Sequence, residues 1–507
     1  MKHCTTLPEL LSCGNDDHPA IGGPDHLDVT YKSLRQFITQ TVAKLNSFGI
    51  GRNDRVAIVL DNGPEMALAF MSVASGATCA PLNIAYRADE FQFYLDDFHA
   101  KAIIVKAGSD SAAIPVAEKL GIAIVDLHPT HDYGAGKFTL SLRSAKKMSL
   151  KQGGWAQRDD IALILHTSGT VSRPKIVPLS QSNVCASAAN IAKVLAFTSK
   201  DRALNIMPLF HIHGLIAGVL APLSAGSYVS CTPGFNALKF FSWMDHIKPT
   251  WFTAVPTMHQ TILTRSSKNL SIIQNNPLRF IRSSSSSMPT KVIEEIEQCF
   301  GAPLIESYGM TEASHQMASN LLPPAKRKPG TVGVAAGPEI AIMDEAGKIL
   351  GIGETGEIVI RGANVTHGYE NNIKANTENF TNGWFRTGDQ GTIDEDGYVT
   401  ITGRLKEIIN RGGEKISPRE VDEILMEHPA VLQVVTFAIP HEKLGEEVAA
   451  VVVLREGNTA DENDIRTFAA EKLADFKVPK KIIFTNEIPQ GATGKLQRIS
   501  LAEKLGL

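Results

Sequence analysis

Residues 166–178 read HTSGTVSRPKIVP, and this stretch decides how the rest of the chain is interpreted. It follows an apolar run at 161–165, whose length suits a buried strand, and it precedes an amphipathic segment that begins near Ser180. The pattern therefore predicts a strand, a hydroxyl-rich loop and a helix in succession.

Such a loop can bind a phosphate chain, because backbone N–H groups and hydroxyls donate hydrogen bonds while a lysine balances the charge. The predicted ligand is a nucleoside triphosphate. The spacing is not that of the common G-x-x-x-x-G-K-[ST] loop, and a polar surface turn explains the stretch equally well when it is taken alone. The residues that would contact the phosphates are Thr167, Ser168, Gly169, Thr170, Ser172 and Lys175.

The chain is long and close to neutral. Its 507 residues exceed one ordinary core, so several structural units are expected. Fifty basic residues against 53 acidic ones leave a net charge of −3. This balance disfavours nucleic acid and an anionic membrane as partners, and it favours a small-molecule substrate.

Cysteine usage and hydropathy indicate a cytoplasmic protein. The six cysteines are scattered without a C-x-x-C pair and are predicted to be reduced thiols. The N-terminal residues lack an apolar signal core, and the most apolar later stretch, residues 214–223, is too short to cross a membrane. We therefore expect no membrane insertion.

Strand-like and helical patterns alternate through the first 300 residues. Apolar runs at 55–60, 79–83 and 102–105 are separated by helical stretches at 64–70 and 87–98. This alternation predicts a parallel sheet with helices on its faces.

The pattern changes from about residue 330, where short strands broken by glycines, such as 356–362 and 397–403, predict a small β-rich subdomain. A fresh αβ pattern follows, in which Ser417, Pro418 and Glu420 have the spacing of a capping box. We therefore divide the chain into residues 1–403 and residues 404–507.

Three later motifs carry groups that suit a nucleotide and its metal ion. YGMTE at 308–312 offers an aromatic ring for a base, a hydroxyl for a phosphate and a carboxylate for magnesium. TGD at 387–389 offers a carboxylate that can accept hydrogen bonds from ribose hydroxyls. GATGK at 491–495 presents a lysine that can neutralise developing charge. Taken singly, a tight turn, a hairpin corner and a solvated lysine are the simpler interpretations.

Together and in this order, the hydroxyl loop, these three motifs and GRLKE at 403–407 resemble the acyl-adenylate-forming superfamily of acyl-CoA synthetases, peptide-synthetase adenylation domains and firefly luciferase. The resemblance extends from residue 30 to Arg498. It implies an α/β fold with a large N-terminal domain of parallel sheets flanked by helices, a small β-rich subdomain and a smaller, mobile α+β C-terminal domain. It also implies a carboxylic acid as substrate, with ATP, Mg²⁺ and coenzyme A.

The resemblance implies a role for each matched residue. The catalytic residues are Lys495, Thr311, Glu312 and His211, and Glu312 is also the magnesium ligand. The nucleotide contacts, besides those of the loop, are Glu306, Ser307, Tyr308 on adenine, Thr311 on phosphate, Asp389 and Arg404 on ribose, and Lys495. The coenzyme A contacts are Arg411, Gly412 and Gly413, and Lys406 is the hinge about which the C-terminal domain turns between two half-reactions.

The hydroxyl loop departs from the family pattern at Val171, Ser172 and Ile176. Val171 removes a hydroxyl, and Ser172 narrows the freedom of the backbone where glycine is usual. We expect altered phosphate release or loop closure, with catalysis retained.

The resemblance is closest to the plant and fungal oxalate-CoA ligases, through segments at 208–215, 251–257, 310–315 and 410–418. The segments that line the acyl pocket in this family offer polar groups here, and burying a second carboxylate requires such donors. The predicted acyl contacts are His211, His213, Ser285, Ser287 and His315. Oxalate is the first predicted acid, and structural roles for His213 and His315 stay open.

Other functions are compatible with the same motifs. A 4-coumarate-like aryl or a medium-chain acid is the second choice of substrate. A stand-alone adenylation enzyme that loads a carrier protein, and a non-catalytic nucleotide-binding relative, are further hypotheses. The sequence is compatible with a monomer or a homodimer.

Overall fold

A computed structural model describes residues 4–143, 148–167, 174–489, 498 and 501–507. The predicted phosphate contacts Ser168, Gly169, Thr170 and Ser172, the substituted position Val171, and the predicted catalytic Lys495 lie outside these residues. The described strands form four sheets.

The N-terminal part of the chain alternates strands and helices, as predicted. Its elements are α1 (Leu7–Leu11), β1 (Pro19–Gly22), β2 (Val29–Thr30), α2 (Tyr31–Ser47), β3 (Arg55–Val59), α3 (Pro64–Ala74), β4 (Thr78–Pro81), α4 (Ala88–Asp97), β5 (Ala102–Lys106), α5 (Ala113–Leu120), β6 (Ala123–Pro129), a 3-10 turn (His131–Tyr133), β7 (Phe138–Leu142), β8 (Ile161–His166), β9 (Ile176–Ser180) and α6 (Gln181–Val194).

Seven of these strands form the first sheet, in the order β7-β6-β5-β3-β4-β8-β9. Its central pairs are parallel, because helices such as α3 and α4 return the chain between strands. Helix α3 begins at Pro64, whose fixed φ suits the first helical position, where no N–H is needed. Every residue of α3 except Glu65 is buried, so this helix belongs to the core.

The hydroxyl loop joins two antiparallel strands, and the predicted direct passage from strand to helix is wrong. Strand β9 pairs with β8 and places Ile176 opposite His166. Helix α6 begins after β9, with Ser180 as its N-cap, so the predicted helix start is confirmed. β9 contains Pro178, which is tolerated because β9 lies at the edge of the sheet and which weakens the strand pattern in the sequence.

The middle of the chain builds a second sheet of nine strands, in the order β16-β15-β14-β13-β12-β10-β11-β1-β2. The new elements are β10 (Arg202–Asn205), a π-helix (His213–Leu220), α7 (Ala221–Ser224), β11 (Tyr228–Cys231), α8 (Phe240–Ile247), β12 (Trp251–Ala254), α9 (Pro256–Ser266), a 3-10 turn (Ser267–Asn269), α10 (Leu270–Asn275), β13 (Phe280–Ser283), α11 (Thr290–Phe300), β14 (Leu304–Met310), a 3-10 turn (Thr311–Ala313), β15 (His315–Ser319) and β16 (Val334–Ala335). Strands β10, β12, β13 and β14 are parallel, so their carboxyl ends share one edge.

The predicted β-rich subdomain is an antiparallel sheet. Its elements are β17 (Glu339–Met343), β18 (Gly356–Arg361), α12 (Ile373–Asn379), β19 (Phe380–Thr381), β20 (Trp384–Ile393) and β21 (Val399–Arg404).

The chain enters a fourth sheet after β21. Its elements are a 3-10 turn (Leu405–Glu407), β22 (Ile409–Arg411), β23 (Glu414–Ile416), α13 (Pro418–Met426), β24 (Val431–His441), β25 (Gly445–Leu454), α14 (Glu462–Ala470), β26 (Lys481–Phe484) and α15 (Leu501–Lys504). The change of sheet falls beside the predicted boundary at residue 403, and the division into two domains stays a prediction.

The start of α13 differs in part from the predicted capping box. Ser417 is the N-cap, and its hydroxyl accepts from the backbone N–H of Glu420 at 3.5 Å. The Glu420 carboxylate accepts from Lys477 Nζ at 2.6 Å. Lys477 lies in the segment that follows α14. Its ion pair with Glu420 takes the place of the bond from Glu420 back to the backbone of Ser417 that a capping box would make.

All six cysteines are free thiols, as predicted. Among the described residues, no helix has the length and apolar character needed to span a bilayer.

Candidate active site

A cavity of about 560 Å³ lies at the shared carboxyl edge of the second sheet, and the third and fourth sheets contribute further walls. Ligands of open α/β sheets bind at this edge. The predicted site residues that line the cavity are Thr167, His211, Ser285, Ser287, Glu306, Ser307, Tyr308, Asp389 and Arg404.

Asp389 is held between Tyr308 and Arg404 in the wall of this cavity. Strands β20 and β21 are antiparallel, and their register places Asp389 opposite Arg404. Arg404 Nε donates to Asp389 Oδ1 at 2.9 Å, and the Tyr308 hydroxyl donates to Oδ2 at 2.5 Å. Burial raises the pKa of Tyr308, and the charge of Asp389 raises the pKa of Arg404. Each carboxylate oxygen keeps a further lone pair that a ligand hydroxyl can use.

Glu306 and Ser307, in the middle of β14, are fixed by bonds to neighbouring segments. Glu306 Oε2 accepts the Gly330 N–H at 3.1 Å, and burial raises the pKa of Glu306 to about 8. The Ser307 hydroxyl donates to the carbonyl of Ser283 at 3.3 Å, and the Ser307 carbonyl accepts from the Ser284 hydroxyl at 3.0 Å. Side-chain bonds therefore lock β14 to β13 where both reach the cavity.

Thr311 and Glu312 lie in the 3-10 turn after β14. Glu312 Oε1 accepts the Tyr369 hydroxyl at 2.8 Å. Burial raises the pKa of Glu312, while the Tyr369 hydrogen bond and the charge of Lys175 oppose that rise. Lys175 Nζ lies 4.4 Å from the centre of the Tyr369 ring, and burial lowers the pKa of Lys175. Tyr369 therefore connects the predicted metal ligand with the predicted phosphate lysine.

This cluster fits a magnesium ion that is bound together with nucleotide phosphates. Proteins usually hold Mg²⁺ through one or two carboxylates and let substrate phosphates and waters complete the shell. Glu312 supplies one such carboxylate beside a lysine. No group of three or more His, Cys, Asp or Glu side chains in the described ranges could hold a metal, so phosphates would have to complete its coordination.

The predicted acyl contacts fall into two layers. His211, Ser285 and Ser287 line the cavity, whereas His213 and His315 are 0% and 2% exposed and lie behind that wall. The rings of His213 and His315 stack with centres 4.8 Å apart and planes 18° from parallel. His213 Nδ1 lies 3.1 Å from the Ser285 hydroxyl oxygen. His213 thus reaches the cavity wall through Ser285.

Sequence reasoning missed Arg282, which lies fully buried on β13. Its two terminal nitrogens donate to Nε2 of His213 at 3.1 Å and to Nε2 of His315 at 3.0 Å. A signal was present in the sequence, because FIRS at 280–283 places a basic residue inside a short apolar strand. Tyr369 was missed too, and it carries no comparable signal, since its partner Glu312 lies 57 residues earlier.

The predicted hinge and coenzyme A residues lie in and before the fourth sheet. Lys406 is in the 3-10 turn after β21, and its charge contributes to lowering the pKa of Lys175. Arg411 ends β22 and donates to Glu447 Oε1 at 2.6 Å. Gly412 and Gly413 have φ of 59° and 99°, which glycine adopts readily. None of these four residues lines the cavity, although Glu407, which is adjacent to Lys406, does.

Arg498 anchors the chain three residues after Lys495. Its Nη1 donates to Glu407 Oε2 at 2.7 Å, and its Nε donates to the Thr436 carbonyl at 2.7 Å. Arg498 also pairs with Asp422, whose pKa burial raises to about 6. Glu407 lies in the same turn as the predicted hinge, so Arg498 ties the C-terminal segment to that turn.

Known proteins resemble this chain over nearly its whole length. Residues 13–370 match the family model described as AMP-binding enzyme, and residues 420–495 match the AMP-binding enzyme C-terminal domain. A probable CoA ligase of Humulus lupulus is 45% identical over 495 residues, covering 95% of this chain and 92% of that protein. The oxalate–CoA ligase of Arabidopsis thaliana is 43% identical over 495 residues, covering 96% of this chain and 95% of that enzyme. The crystal structure of ATP-bound MatB from Rhodopseudomonas palustris superposes with a TM-score of 0.87 at 29% identity, covering 99% of this chain and 98% of that one.

Proposed function

Because this chain belongs to the AMP-binding enzyme family, we propose that it joins oxalate to coenzyme A. The chain is an AMP-forming acid–CoA ligase of α/β fold that uses ATP, Mg²⁺ and coenzyme A. What is proposed is the identity of the acid and the part each residue plays.

The reaction has two half-reactions. In the first, a carboxylate oxygen of the acid attacks the α-phosphorus of ATP, the bond to pyrophosphate breaks, and an acyl-adenylate forms. In the second, the sulfur of coenzyme A attacks the acyl carbon, the bond to AMP breaks, and the thiol proton leaves. Negative charge develops on the α-phosphate and the departing pyrophosphate in the first step, and on the acyl oxygen and the departing AMP in the second. Positioned donors and cations therefore stabilise both transition states.

Tyr308, Asp389 and Arg404 would bind the nucleoside. Tyr308 offers its ring to adenine while its hydroxyl stays on Asp389. Asp389 is already oriented by two donors, so its remaining lone pairs can accept the ribose hydroxyls without reorganisation. Glu306 and Ser307 complete this wall.

Thr167, Lys175, Thr311 and Glu312 would bind the phosphates and their metal ion. Magnesium held by Glu312 would supply positive charge to the phosphate oxygens. Ser168, Gly169, Thr170, Ser172 and Lys495 are proposed to complete the phosphate site, as the family pattern implies. Lys175 is partly desolvated, which strengthens its interaction with an anion.

The observation that favours oxalate is the polar construction of the acyl wall. Ser285 and Ser287 face the cavity beside His211, and Ser285 is backed by His213 at 3.1 Å. A buried second carboxylate must find hydrogen-bond donors, whereas an alkyl chain would leave these groups unsatisfied. The 43% identity to an oxalate–CoA ligase supports the same choice.

An aryl acid is the second candidate. Tyr86, Tyr94 and Phe98 line the same cavity, and the rings of Tyr86 and Tyr94 stack with centres 4.9 Å apart. Such a surface could hold a flat aromatic acid. An aryl acid would leave the polar groups of the acyl wall without a hydrogen-bond partner, whereas oxalate would give the aromatic rings no ligand ring to stack against. The acid that the enzyme prefers therefore distinguishes the two candidates.

The C-terminal residues 404–507 are proposed to turn about Lys406 after adenylation. The 3-10 turn that contains Lys406 joins two separate sheets, which suits a hinge. Arg411, Gly412 and Gly413 do not line the cavity in this arrangement, and rotation would bring them to the pantetheine arm.

A pyrophosphate-release assay with oxalate, malonate, 4-coumarate and octanoate, each with and without coenzyme A, tests the proposal. We expect the largest kcat/KM with oxalate and a thioester product when coenzyme A is present. Release with 4-coumarate and none with oxalate would establish the second candidate. An adenylate without any thioester would favour loading of a carrier protein.

A further inference from the structure

Arg282 is a buried cation surrounded by neutral acceptors. Its side chain is 0% exposed. Nη1 donates to His213 Nε2 at 3.1 Å and to Thr253 Oγ1 at 3.3 Å, and Nη2 donates to His315 Nε2 at 3.0 Å and to Gln316 Oε1 at 3.3 Å. None of these four acceptors carries a negative charge.

Among the residues that the structure describes, no carboxylate balances the charge of Arg282, because burial is the one influence that shifts its pKa. Two buried carboxylates of the site have other partners, since Glu306 accepts from Gly330 and Glu312 accepts from Tyr369. Burial lowers the pKa of Arg282 to about 9, which leaves the guanidinium charged at neutral pH. An uncompensated buried charge is costly, so a bound anion would relieve it.

The guanidinium dictates which ring nitrogens carry protons. Arginine has five N–H donors and no acceptor. Nε2 of His213 and Nε2 of His315 must therefore accept, so neither can hold a proton. Both rings are then neutral and carry their proton on Nδ1. Thr253 Oγ1 accepts from Arg282 at 3.3 Å and lies 2.7 Å from His213 Nε2, so in this assignment its hydroxyl proton shares the single lone pair of Nε2 with the guanidinium.

The influence of Arg282 on the protonation of His213 extends to Ser285 in the cavity wall. With its proton on Nδ1, His213 donates to the Ser285 oxygen at 3.1 Å. The Ser285 hydroxyl proton is then available to donate to another acceptor, and Ser285 lines the cavity. Ser285 has φ of 75°, a backbone conformation that side chains other than glycine rarely adopt and that often marks a functional site.

We propose that Arg282 is a positioning residue that fixes His213 and His315 as neutral Nδ1–H tautomers, turns the Ser285 hydroxyl into a donor, and selects an acid with a second negative charge. The choice of a dianionic acid rests on the proposed function, whereas the tautomers do not. Arg282 acts through His213 and Ser285, and its own side chain is placed behind the cavity wall.

A purely structural role is the competing explanation, since Arg282 also ties β12, β13 and β15 together. Two variants separate the contributions. Arg282→Lys keeps the positive charge but loses the planar fork that reaches both rings, and Arg282→Met removes the charge at similar length. Arg279→Met is the matched control, because Arg279 lies three residues earlier and is paired with Asp201 at 2.9 Å.

The first measurement is ¹⁵N NMR of the histidine rings in the wild-type protein at neutral pH, with His213→Gln and His315→Gln used for assignment. We expect both rings to show the neutral Nδ1–H pattern. A proton on Nε2 of either ring, or a doubly protonated ring, would overturn the role of Arg282. This measurement needs no substrate and no Arg282 variant.

The second measurement is steady-state kinetics with ATP and either oxalate or acetate. For Arg282→Met we expect the KM for oxalate to rise roughly 10- to 100-fold, as for loss of hydrogen bonds to a charged group. The KM for ATP should stay near the wild-type value, and the preference for oxalate over acetate should fall. Arg282→Lys should recover part of that preference but not the ring tautomers, and Arg279→Met should match the wild type.

An unchanged KM for oxalate in a folded Arg282→Met protein would overturn the electrostatic part of the inference. The proposed function fails by a different result, namely absence of pyrophosphate release with oxalate in the wild-type enzyme. In that case the ring tautomers still decide whether Arg282 positions the two histidines.

Discussion

Arg404 lies directly opposite Asp389 on the neighbouring antiparallel strand, and its Nε donates to Asp389 Oδ1 at 2.9 Å. The second oxygen of the same carboxylate accepts the Tyr308 hydroxyl at 2.5 Å. One carboxylate thus links β14 of the second sheet with the hairpin of the β-rich subdomain. Its orientation is set before any ligand binds, which reduces the cost of ordering the site.

We first predict that Asp389→Asn weakens ATP binding and leaves the acid unaffected. The amide keeps the shape but loses the charge that Arg404 and the ribose hydroxyls require. The KM for ATP should rise roughly 10- to 100-fold, and the KM for oxalate should stay the same. Asp396→Asn is the control, because Asp396 is a half-exposed carboxylate paired with Lys326 away from the cavity. An unchanged KM for ATP would remove Asp389 from the nucleotide site.

The second prediction concerns Tyr369, whose hydroxyl bonds to Glu312 at 2.8 Å. Tyr369→Phe removes one donor to the proposed magnesium ligand, so Glu312 should be held less firmly. The Mg²⁺ concentration for half-maximal pyrophosphate release should rise by about 2- to 10-fold, which corresponds to one ordinary hydrogen bond.

Tyr398→Phe is the matched control for this change, because the Tyr398 hydroxyl bonds to the Lys326 carbonyl in the β-rich subdomain. It should leave the magnesium dependence as in the wild type. Equal magnesium curves for Tyr369→Phe and Tyr398→Phe would contradict the assignment of Glu312.

A third prediction follows from the raised pKa of Glu306. Burial raises this pKa from 4.5 to about 8, so between these values the folded protein holds a proton that the unfolded chain has lost. Stability therefore falls as the pH rises through this window, and the contribution of Glu306 is most favourable below it. Glu306→Gln cannot ionise and should lack this loss.

Thermal unfolding at several pH values between about 5 and 8 measures the effect. The Tm of Glu306→Gln relative to the wild type should increase as the pH rises. Glu427→Gln is a control, since Glu427 is a half-exposed carboxylate that pairs with Lys472 and has no influence on the pKa of Glu306. Parallel Tm curves for wild type and Glu306→Gln would show that Glu306 does not titrate in this range.

The fourth prediction is that Arg498→Met destabilises the C-terminal unit. The change leaves Asp422 and Glu407 without their shared partner. All three side chains are partly exposed, so the cost should be smaller than the about 3–5 kcal/mol of a fully buried pair. Limited proteolysis should cut the C-terminal segment faster than in the wild type, and adenylation should slow. Arg466→Met, which removes a surface pair with Glu462 at 3.8 Å, should do neither. Equal cleavage rates for the two variants would show that Arg498 does not anchor this segment.

Much of the fold could be predicted because it rests on local patterns. The alternation at 55–105, the β-rich texture after residue 330 and the cap at Ser417 each depend on residues close together in the chain, and all are confirmed. Strand β9 was missed because Pro178 weakens the strand pattern in the sequence. A proline is acceptable in β9 because this strand lies at the edge of the sheet.

The site could be predicted less completely, because its decisive contacts join distant residues. Arg282 meets His213 and His315, which lie 69 and 33 residues away in sequence. Glu312 meets Tyr369 in the same way. Motifs identify residue types, but burial decides that His213 and His315 stand behind the wall instead of in it.

The most direct test of the proposed activity is a competition for coenzyme A. The enzyme is given ATP, Mg²⁺, coenzyme A and an equimolar mixture of oxalate, 4-coumarate and octanoate, and the thioester products are measured by mass spectrometry. The polar wall of His211, Ser285 and Ser287 predicts that oxalyl-CoA is the dominant product. A dominant coumaroyl or octanoyl thioester, with no oxalyl-CoA, would contradict the proposal.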